Sequence, residues 1–367
     1  MPMQKILADS RFTGLGPYTF VGAMSGTSLD GLDLVRVRFW KNAVESPWSK
    51  SIEATQWIPY DGNGWGQKLA AAYTANPQDR NQINQEYSQW LNAQFIAFIG
   101  QEEVHAIGSH GHTVAHEPDK RFTLQIGNDC LIAQGLNCPV VCDFRVADVL
   151  RGGQGAPLVP VADAHLYAEY PVCLNLGGFS NASWDDRGIR RAGDLGPVNF
   201  ILNPYANQLG YAYDPDGQFA RAHQPDSMVL NALEQLAYYQ APFPKSLARE
   251  WVETHVFPLL SGLDAGVALA TATEHAARAI AIGLHQAPTG AVLVTGGGSK
   301  NAFLLERIQA HVSRNLILPH PSEIDFKEAT SFAFLALLRL RAEKNVYASV
   351  TGSPVDGCDG QVFEDLT

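Results

Sequence analysis

The sequence predicts a two-lobed α/β protein, and three observations carry that expectation. Residues 18–39 read as a strand, a glycine-containing polar turn and a second strand, and residues 172–184 repeat the design. The third observation is size: 367 residues with 46% hydrophobic content bury a sizeable core and exceed the length at which single cores usually split. Duplicated lobes that each open on such a hairpin would set two turns opposite each other across an interlobe cleft.

Residues 21–33 read Val-Gly-Ala-Met-Ser-Gly-Thr-Ser-Leu-Asp-Gly-Leu-Asp. The strand leaving this turn alternates, with Val35, Val37 and Phe39 on one face and Leu34, Arg36 and Arg38 on the other. Gly22, Gly26 and Gly31 permit positive φ and close backbone approach. Ser25, Thr27 and Ser28 add hydroxyls beside N–H groups able to converge on an anion. Asp30 and Asp33 would repel bare phosphate, so they make sense facing a hydrated Mg²⁺ that neutralises it. No Gly-Lys-Ser/Thr step opens a helix here, which separates the turn from a P-loop. An ordinary hairpin turn uses the same residues.

Further along, residues 67–101 read as helices with apolar residues recurring among Trp90, Leu91, Phe95, Ile96 and Phe98, and short strands follow at 104–108, 122–126 and 139–144. Residues 145–160 are too rich in glycine for a helix and suit a crossing between lobes. The expected organisation is therefore a first lobe over residues 1–145, a second over 146–325, and a C-terminal helix and tail over 326–367 returning to the first. In the second lobe, Gly177 and Gly178 follow a buried strand, and Asp194 stands between Gly193 and Gly196 in a loop before a helix. A long helical region from 227 to about 260 precedes an amphipathic helix over 267–285, which Asp264 caps and which aligns Leu269, Ala276, Ile280 and Leu284. Gly296, Gly297 and Gly298 then join a buried strand to a helix N-terminus, a third ligand-facing turn.

Composition narrows the partners. Lys+Arg of 26 against Asp+Glu of 37 gives a net charge of −11, which disfavours nucleic acid and anionic membrane and leaves a small molecule. Five cysteines without a C-x-x-C pair suggest reduced thiols, and the chain shows neither an apolar leader nor a membrane-length apolar run, so a cytoplasmic protein is expected.

Taken together, residues 24–33, 109–113, 122–128, 143–160, 175–181, 194–199, 296–303 and 328–336 resemble, in colinear order, the anhydro-N-acetylmuramic acid kinase family. The pair Met-Ser-Gly-Thr-Ser-Leu-Asp-Gly and Gly-Gln-Gly-Ala-Pro-Leu-Val-Pro carries most of the likeness. The resemblance implies an actin/hexokinase-like (ribonuclease H-like) fold and a homodimer in a bacterium recycling its wall. It implies Mg-ATP, 1,6-anhydro-N-acetylmuramic acid and water as reactants, and N-acetylmuramic acid 6-phosphate and ADP as products. In a 1,6-anhydro sugar O6 is already bonded to C1, so the bridge must open as O6 is phosphorylated. The γ-phosphoryl captures O6, and one carboxylate suffices as general base toward a water at C1.

By resemblance that base is Asp194. The nucleotide-binding stretch is Gly26, Thr27, Ser28, Leu29, Asp30, Gly31, Leu32 and Asp33, with Asp30 toward the metal through water. Gly177, Gly178 and Asn181 match a second phosphate turn, and Gly296, Gly297 and Gly298 a nucleotide-side turn. His110, His112, Gln154 and Glu328 match the sugar side. Arg145 suits the lactyl carboxylate of the sugar, with an Arg145–Asp148 ion pair as the structural alternative. The family's Phe-Asp-Thr-Gly-Pro reads Gly193-Asp194-Leu195-Gly196-Pro197 here, and its Gly-Gly-Ile-Ala-Asn reads Gly177-Gly178-Phe179-Ser180-Asn181. Three other functions use the same features: a kinase of this fold with a drifted substrate, a nucleotide sensor without turnover, and a metal-dependent hydrolase using His105, His110, His112 and His116.

Overall fold

In the computed structural model, residues 6–26, 29–243 and 245–365 are described. Two compact units emerge: Met1–Leu166 with Phe326–Thr367, and Tyr167–Asp325.

The first unit is built on a seven-stranded sheet in the order β12-β6-β4-β1-β2-β3, with β5 paired to β4. Its strands are β1 (Tyr18–Ser25), β2 (Gly31–Trp40), β3 (Ser49–Pro59), β4 (Ala106–Glu117), β5 (Phe122–Ile126), β6 (Val140–Cys142) and, from the C-terminal tail, β12 (Gln361–Phe363). β1 hairpins into β2 and β2 into β3, while β4 runs parallel to β1 and β6 parallel to β4. In the second unit the order is β11-β10-β7-β8-β9. Here β7 (Val172–Leu176), β8 (Phe179–Asp186) and β9 (Ile189–Pro197) form the antiparallel meander, and β10 (Val292–Thr295) and β11 (Leu316–Ile317) add in parallel on the other side. One plan thus occurs twice, the duplicated α/β core that the resemblance implies.

The expected boundary at 145/146 lies instead after Leu166. Residues 146–166 are not a linker, because they fold around the fully buried Asp148. Its carboxylate accepts from Gly155 N at 2.8 Å, Thr351 Oγ1 at 3.0 Å and Arg151 Nη2 at 3.3 Å. Arg151 reaches on to Asp359 at 2.6 Å, and Lys327 meets Asp163 at 2.8 Å, both pairs tying the segment to the C-terminal part of the unit. Glycine is needed at 153, where a Cβ would lie 2.2 Å from Asp148 Oδ2.

Helix Pro321–Leu340 buries every residue from Ala329 to Leu338, as a helix central to a core does. It presses its backbone onto the sheet at two glycines. A Cβ on Gly22 would lie 1.9 Å from Ala329 O, and one on Gly108 would lie 2.2 Å from Phe332 O. These glycines are register partners in the parallel β1/β4 pair, so together they form a flat step for the helix. Gly22 is therefore present for close approach; its φ is not positive.

In the second unit, helix Ala265–Leu284 carries the expected Asp264 cap, accepting from Gly266 N at 2.9 Å, and fully buries Leu269, Ala276, Ile280 and Leu284. The helical region expected from 227 to 260 is broken into Ser227–Glu234, Ala237–Gln240, Arg249–His255 and Phe257–Leu260. Pro242 lacks the N–H that a continuous helix needs and would clash with the preceding turn.

Gly22→Ala and Gly108→Ala each force helix and sheet apart, at a cost of about 3 kcal/mol or more from overpacking. Gly297→Ala, where a Cβ meets nothing within 4 Å, is expected to stay within about 0.5 kcal/mol of the native chain. Denaturant midpoints of the three variants check this ordering.

Candidate active site

In the first unit the turn between β1 and β2 gathers the first set of candidates. Thr27 and Ser28 lie outside the described residues. Leu29, and neither Gly22 nor Gly31, takes the left-handed conformation, with φ 58° and its N–H on Gly26 O at 3.3 Å. Gly31 is required by packing, since a Cβ there would lie 2.4 Å from Trp57 Nε1 and 2.7 Å from Ile58 O. The Leu32 side chain is buried in the core, and its backbone is paired within the sheet with Ser25 on one side and Ile58 on the other. Asp30 is exposed and Asp33 half-buried. Burial raises the Tyr60 phenol to about 12, and Asp30 and Asp33 both add to the rise, so the two carboxylates share the neighbourhood of one hydroxyl. Two carboxylates at one turn match the way hydrated Mg²⁺ is commonly held, by one or two carboxylates together with substrate phosphates.

His110 was expected on the sugar, but it has both ring nitrogens occupied. Nε2 lies 3.0 Å from both Nε and Nη2 of Arg145, which only donate, and Nδ1 lies 3.0 Å from Gly111 O, which only accepts. The ring is therefore neutral with its proton on Nδ1, in keeping with a pKa driven well down by burial and by the Arg145 charge. Its role is to hold Arg145. The guanidinium also donates to Gly155 O at 2.7 Å, and among the described residues no carboxylate pairs with it. Asp148 pairs with Arg151 instead, which removes the expected Arg145–Asp148 alternative. Burial lowers Arg145 to about 10, opposed by the nearby Glu328 carboxylate. A desolvated cation with no carboxylate hydrogen-bonded to it suits an anionic ligand group. Glu328 is exposed on its helix, and Gln154 is exposed with its main chain fixed by an N–H to Thr351 O at 2.7 Å.

The histidines do not assemble a metal site. His105 Nδ1 accepts from Thr19 N at 3.1 Å, His112 Nδ1 lies 3.0 Å from Ser25 Oγ, and His116 Nδ1 lies 2.9 Å from Thr123 Oγ1. Among the described residues no group of three or more His, Cys, Asp or Glu is disposed to hold an ion. The histidines therefore lend no support to the hydrolase alternative, Nδ1 of His105, His112 and His116 each being engaged with a different partner.

In the second unit the candidates line up across the sheet. Asp194 is in β9, not in a loop, directly opposite Asn181 of β8, which is itself opposite Asn175 of β7, which in turn pairs with Thr295 of β10. Asn175, a polar interruption in the apolar strand Val172–Leu176, is the residue that sequence reasoning passed over. Gly296 has φ 83°, and a Cβ there would lie 2.5 Å from Asn175 Oδ1, so the triple-glycine turn folds back on the same row. Gly298 packs against Leu176, while Gly297 faces open space. The carbonyls of Gly177 and Gly178 accept from Asn199 N at 3.2 Å and from Val198 and Phe200 N at 2.8 and 3.1 Å. That turn therefore braces the start of helix Asn199–Gln208.

Asp194 is pinned by residues within the broken helical region, between Tyr238 and Leu247. Its N–H donates to Lys245 O at 2.9 Å, its carbonyl accepts from Tyr238 Oη at 2.9 Å, and its Oδ2 accepts from Leu247 N at 2.8 Å. Gly193 allows this approach, since a Cβ would lie 2.7 Å from Lys245 O. Oδ1 has no hydrogen-bond partner among the described residues. Burial raises the carboxyl to about 6, with the Leu247 N–H pulling the other way. A register shift leaves Leu195 as the extra residue of β9, and its side chain is buried, with the Cβ position of Gly283 2.5 Å from its Cδ2. The residue replacing the family threonine thus belongs to the core.

The anhydro-N-acetylmuramic acid kinase family model matches residues 18–364. The anhydro-N-acetylmuramic acid kinase of Pseudomonas fluorescens is 34% identical over 91% of this chain and 96% of its own length. That of Paramagnetospirillum magneticum is 35% identical over 93% and 98%. Among solved structures, a ROK family glucokinase from Streptomyces griseus in complex with glucose and AMPPNP aligns with a TM-score of 0.42 at 13% identity, covering 86% of this chain and 98% of that one. No helix among the described residues is long and apolar enough to cross a membrane.

The raised carboxyl of Asp194 carries a stability signature. Its folded pKa of about 6 exceeds the unfolded value of about 4, so between these pH values the folded chain keeps a proton that the unfolded chain has lost, and stability falls as pH rises. Asp194→Asn lacks that loss. Denaturation of both proteins from pH 4 to 7 is expected to show the variant gaining on the native chain across this window; a constant difference would contradict the burial of the charge.

Proposed function

The chain belongs to the anhydro-N-acetylmuramic acid kinase family, and from that premise we propose that it uses Mg-ATP and water to convert 1,6-anhydro-N-acetylmuramic acid to N-acetylmuramic acid 6-phosphate and ADP. The observation that carries the mechanism is the state of Asp194. One carboxylate oxygen is fixed by Leu247 N–H, the other is open, and the pKa of about 6 suits a base working near neutrality. Asp194 takes a proton from a water as the water oxygen bonds to C1. The C1–O6 bond breaks, O6 bonds to the γ-phosphorus, and the bond from that phosphorus to the β–γ bridging oxygen breaks to release ADP. The proton on Asp194 returns to solvent.

Backbone N–H groups and hydroxyls of residues 26–33, with the glycine turns at 177–178 and 296–298, hold the nucleotide in this reading. Asp30 and Asp33 would hold Mg²⁺, with Asp30 acting through water; the ion supplies charge neutralisation on the transferring phosphoryl group. Arg145, with no carboxylate hydrogen-bonded to it, takes the lactyl carboxylate, and Glu328 and Gln154 take sugar hydroxyls. The family also suggests a homodimer, which light scattering of the purified protein would decide.

ADP release in the presence of the anhydro sugar tests the base. Asp194→Asn is expected to lose about 10²- to 10⁴-fold in turnover while still binding nucleotide. In the native enzyme kcat/KM should rise tenfold per pH unit below about 6 and level off above it. Near-native turnover by Asp194→Asn removes the assignment. Arg145→Ala is expected to raise KM for the sugar by about tenfold or more and to leave KM for ATP unchanged; steady-state titration of each substrate checks the asymmetry.

A further inference from the structure

One buried chain of hydroxyls lies beneath the 26–30 turn and has no part in the steps above. Tyr87 Oη is 2.6 Å from Tyr60 Oη, Tyr60 Oη donates to Ser25 Oγ at 2.7 Å, and Ser25 Oγ is 3.0 Å from His112 Nδ1. All four residues are at most 4% exposed. Each hydroxyl has one proton, and a buried donor left without an acceptor is costly. If His112 donated from Nδ1 to Ser25, the Ser25 proton would lose its acceptor in this chain, since Tyr60 already donates to that oxygen. With Tyr60 donating to Ser25, every hydroxyl proton finds an acceptor in the order Tyr87 to Tyr60, Tyr60 to Ser25, and Ser25 to His112 Nδ1. His112 then carries its proton on Nε2, a nitrogen with no hydrogen-bond partner among the described residues.

The same tyrosine reaches the other end of the turn through its main chain, where its N–H donates to Asp30 O at 3.0 Å. Ser25 is the last residue of β1, and Asp30 immediately precedes β2. We infer that Tyr60 is a positioning residue that ties together the two ends of the 26–30 turn and, through Ser25, sets His112 as a hydrogen-bond donor from Nε2. The acceptor it suits is an anionic or hydroxyl oxygen of the bound substrate. The part of the inference concerning nucleotide affinity rests on the reading that this turn holds the phosphates; the tautomer stands on the hydrogen bonds alone.

Two measurements test it separately. In native protein with ¹⁵N-labelled histidine, the imidazole resonances of His112 are expected to show a protonated Nε2 and a bare Nδ1, and Ser25→Ala should release that preference. A native His112 protonated on Nδ1 would overturn the direction of the chain. Tyr60→Phe removes the phenol alone and is expected to raise KM for Mg-ATP about tenfold, with less than a threefold change in kcat or in KM for the sugar. Tyr87→Phe, which leaves the Tyr60–Ser25 bond, should keep the native KM. If Tyr60→Phe leaves KM for Mg-ATP unchanged while Asp30→Asn raises it, the turn binds nucleotide and the positioning role is wrong. If neither substitution changes it, the nucleotide assignment of the turn is what fails, and the resonances still decide the tautomer.

Discussion

The contact between helix Pro321–Leu340 and the paired glycines Gly22 and Gly108 is the constraint on which the first unit depends. With the Cβ position of Gly22 only 1.9 Å from Ala329 O, helix and sheet are closer than any side chain at that position allows. The contact brings the C-terminal part of the chain into the same core as β1. Glu328 precedes Ala329, so the approach that packs the helix also fixes the acidic residue near Arg145. Asp148 then gathers Gly155, Thr351 and Arg151 around one buried carboxylate, which sets the Gly-rich loop carrying Gln154.

Each unit holds one charge that its own protein groups leave incompletely paired. Arg145 is supported by a neutral imidazole and a carbonyl, so it is oriented without being neutralised. Asp194 is fixed through its backbone and through one oxygen, while burial lifts its carboxyl to about 6. Both arrangements cost the free protein solvation energy and are offset when a ligand supplies the missing partner. A neutral His110 is essential to the first, since a protonated ring would repel the guanidinium and leave its Nε proton facing Arg145 donors.

Local pattern made much of this legible. Alternation and glycine punctuation identified both hairpins, helical spacing identified the core face of the 265–284 helix, and the residues around Asp194 were found through their likeness to a family. What stayed hidden depends on long-range neighbours. Nothing near His110 announces that Arg145, far along the chain, will occupy its ring nitrogen. Gly22 reads as a turn glycine until the last helix is seen lying on it. Asn175 becomes informative only when the register sets it beside Asn181 and Asp194. Tyr60 sits at the end of β3 with no motif around it, and its importance comes from reaching Ser25 and Asp30 at once. The Gly-rich stretch misled because composition describes flexibility in isolation, while a buried aspartate had already been matched to its N–H groups.

In the proposed reaction a water activated by Asp194 bonds to C1 while the original bridging oxygen becomes the phosphate ester. A short, rapidly quenched reaction in ¹⁸O-enriched water, with the product analysed by fragment mass, tests it most directly. One ¹⁸O atom is expected on C1 of the sugar phosphate and none in the phosphoryl group or at O6. Label in the phosphoryl group, or a product whose C1 oxygen is unlabelled, would contradict it.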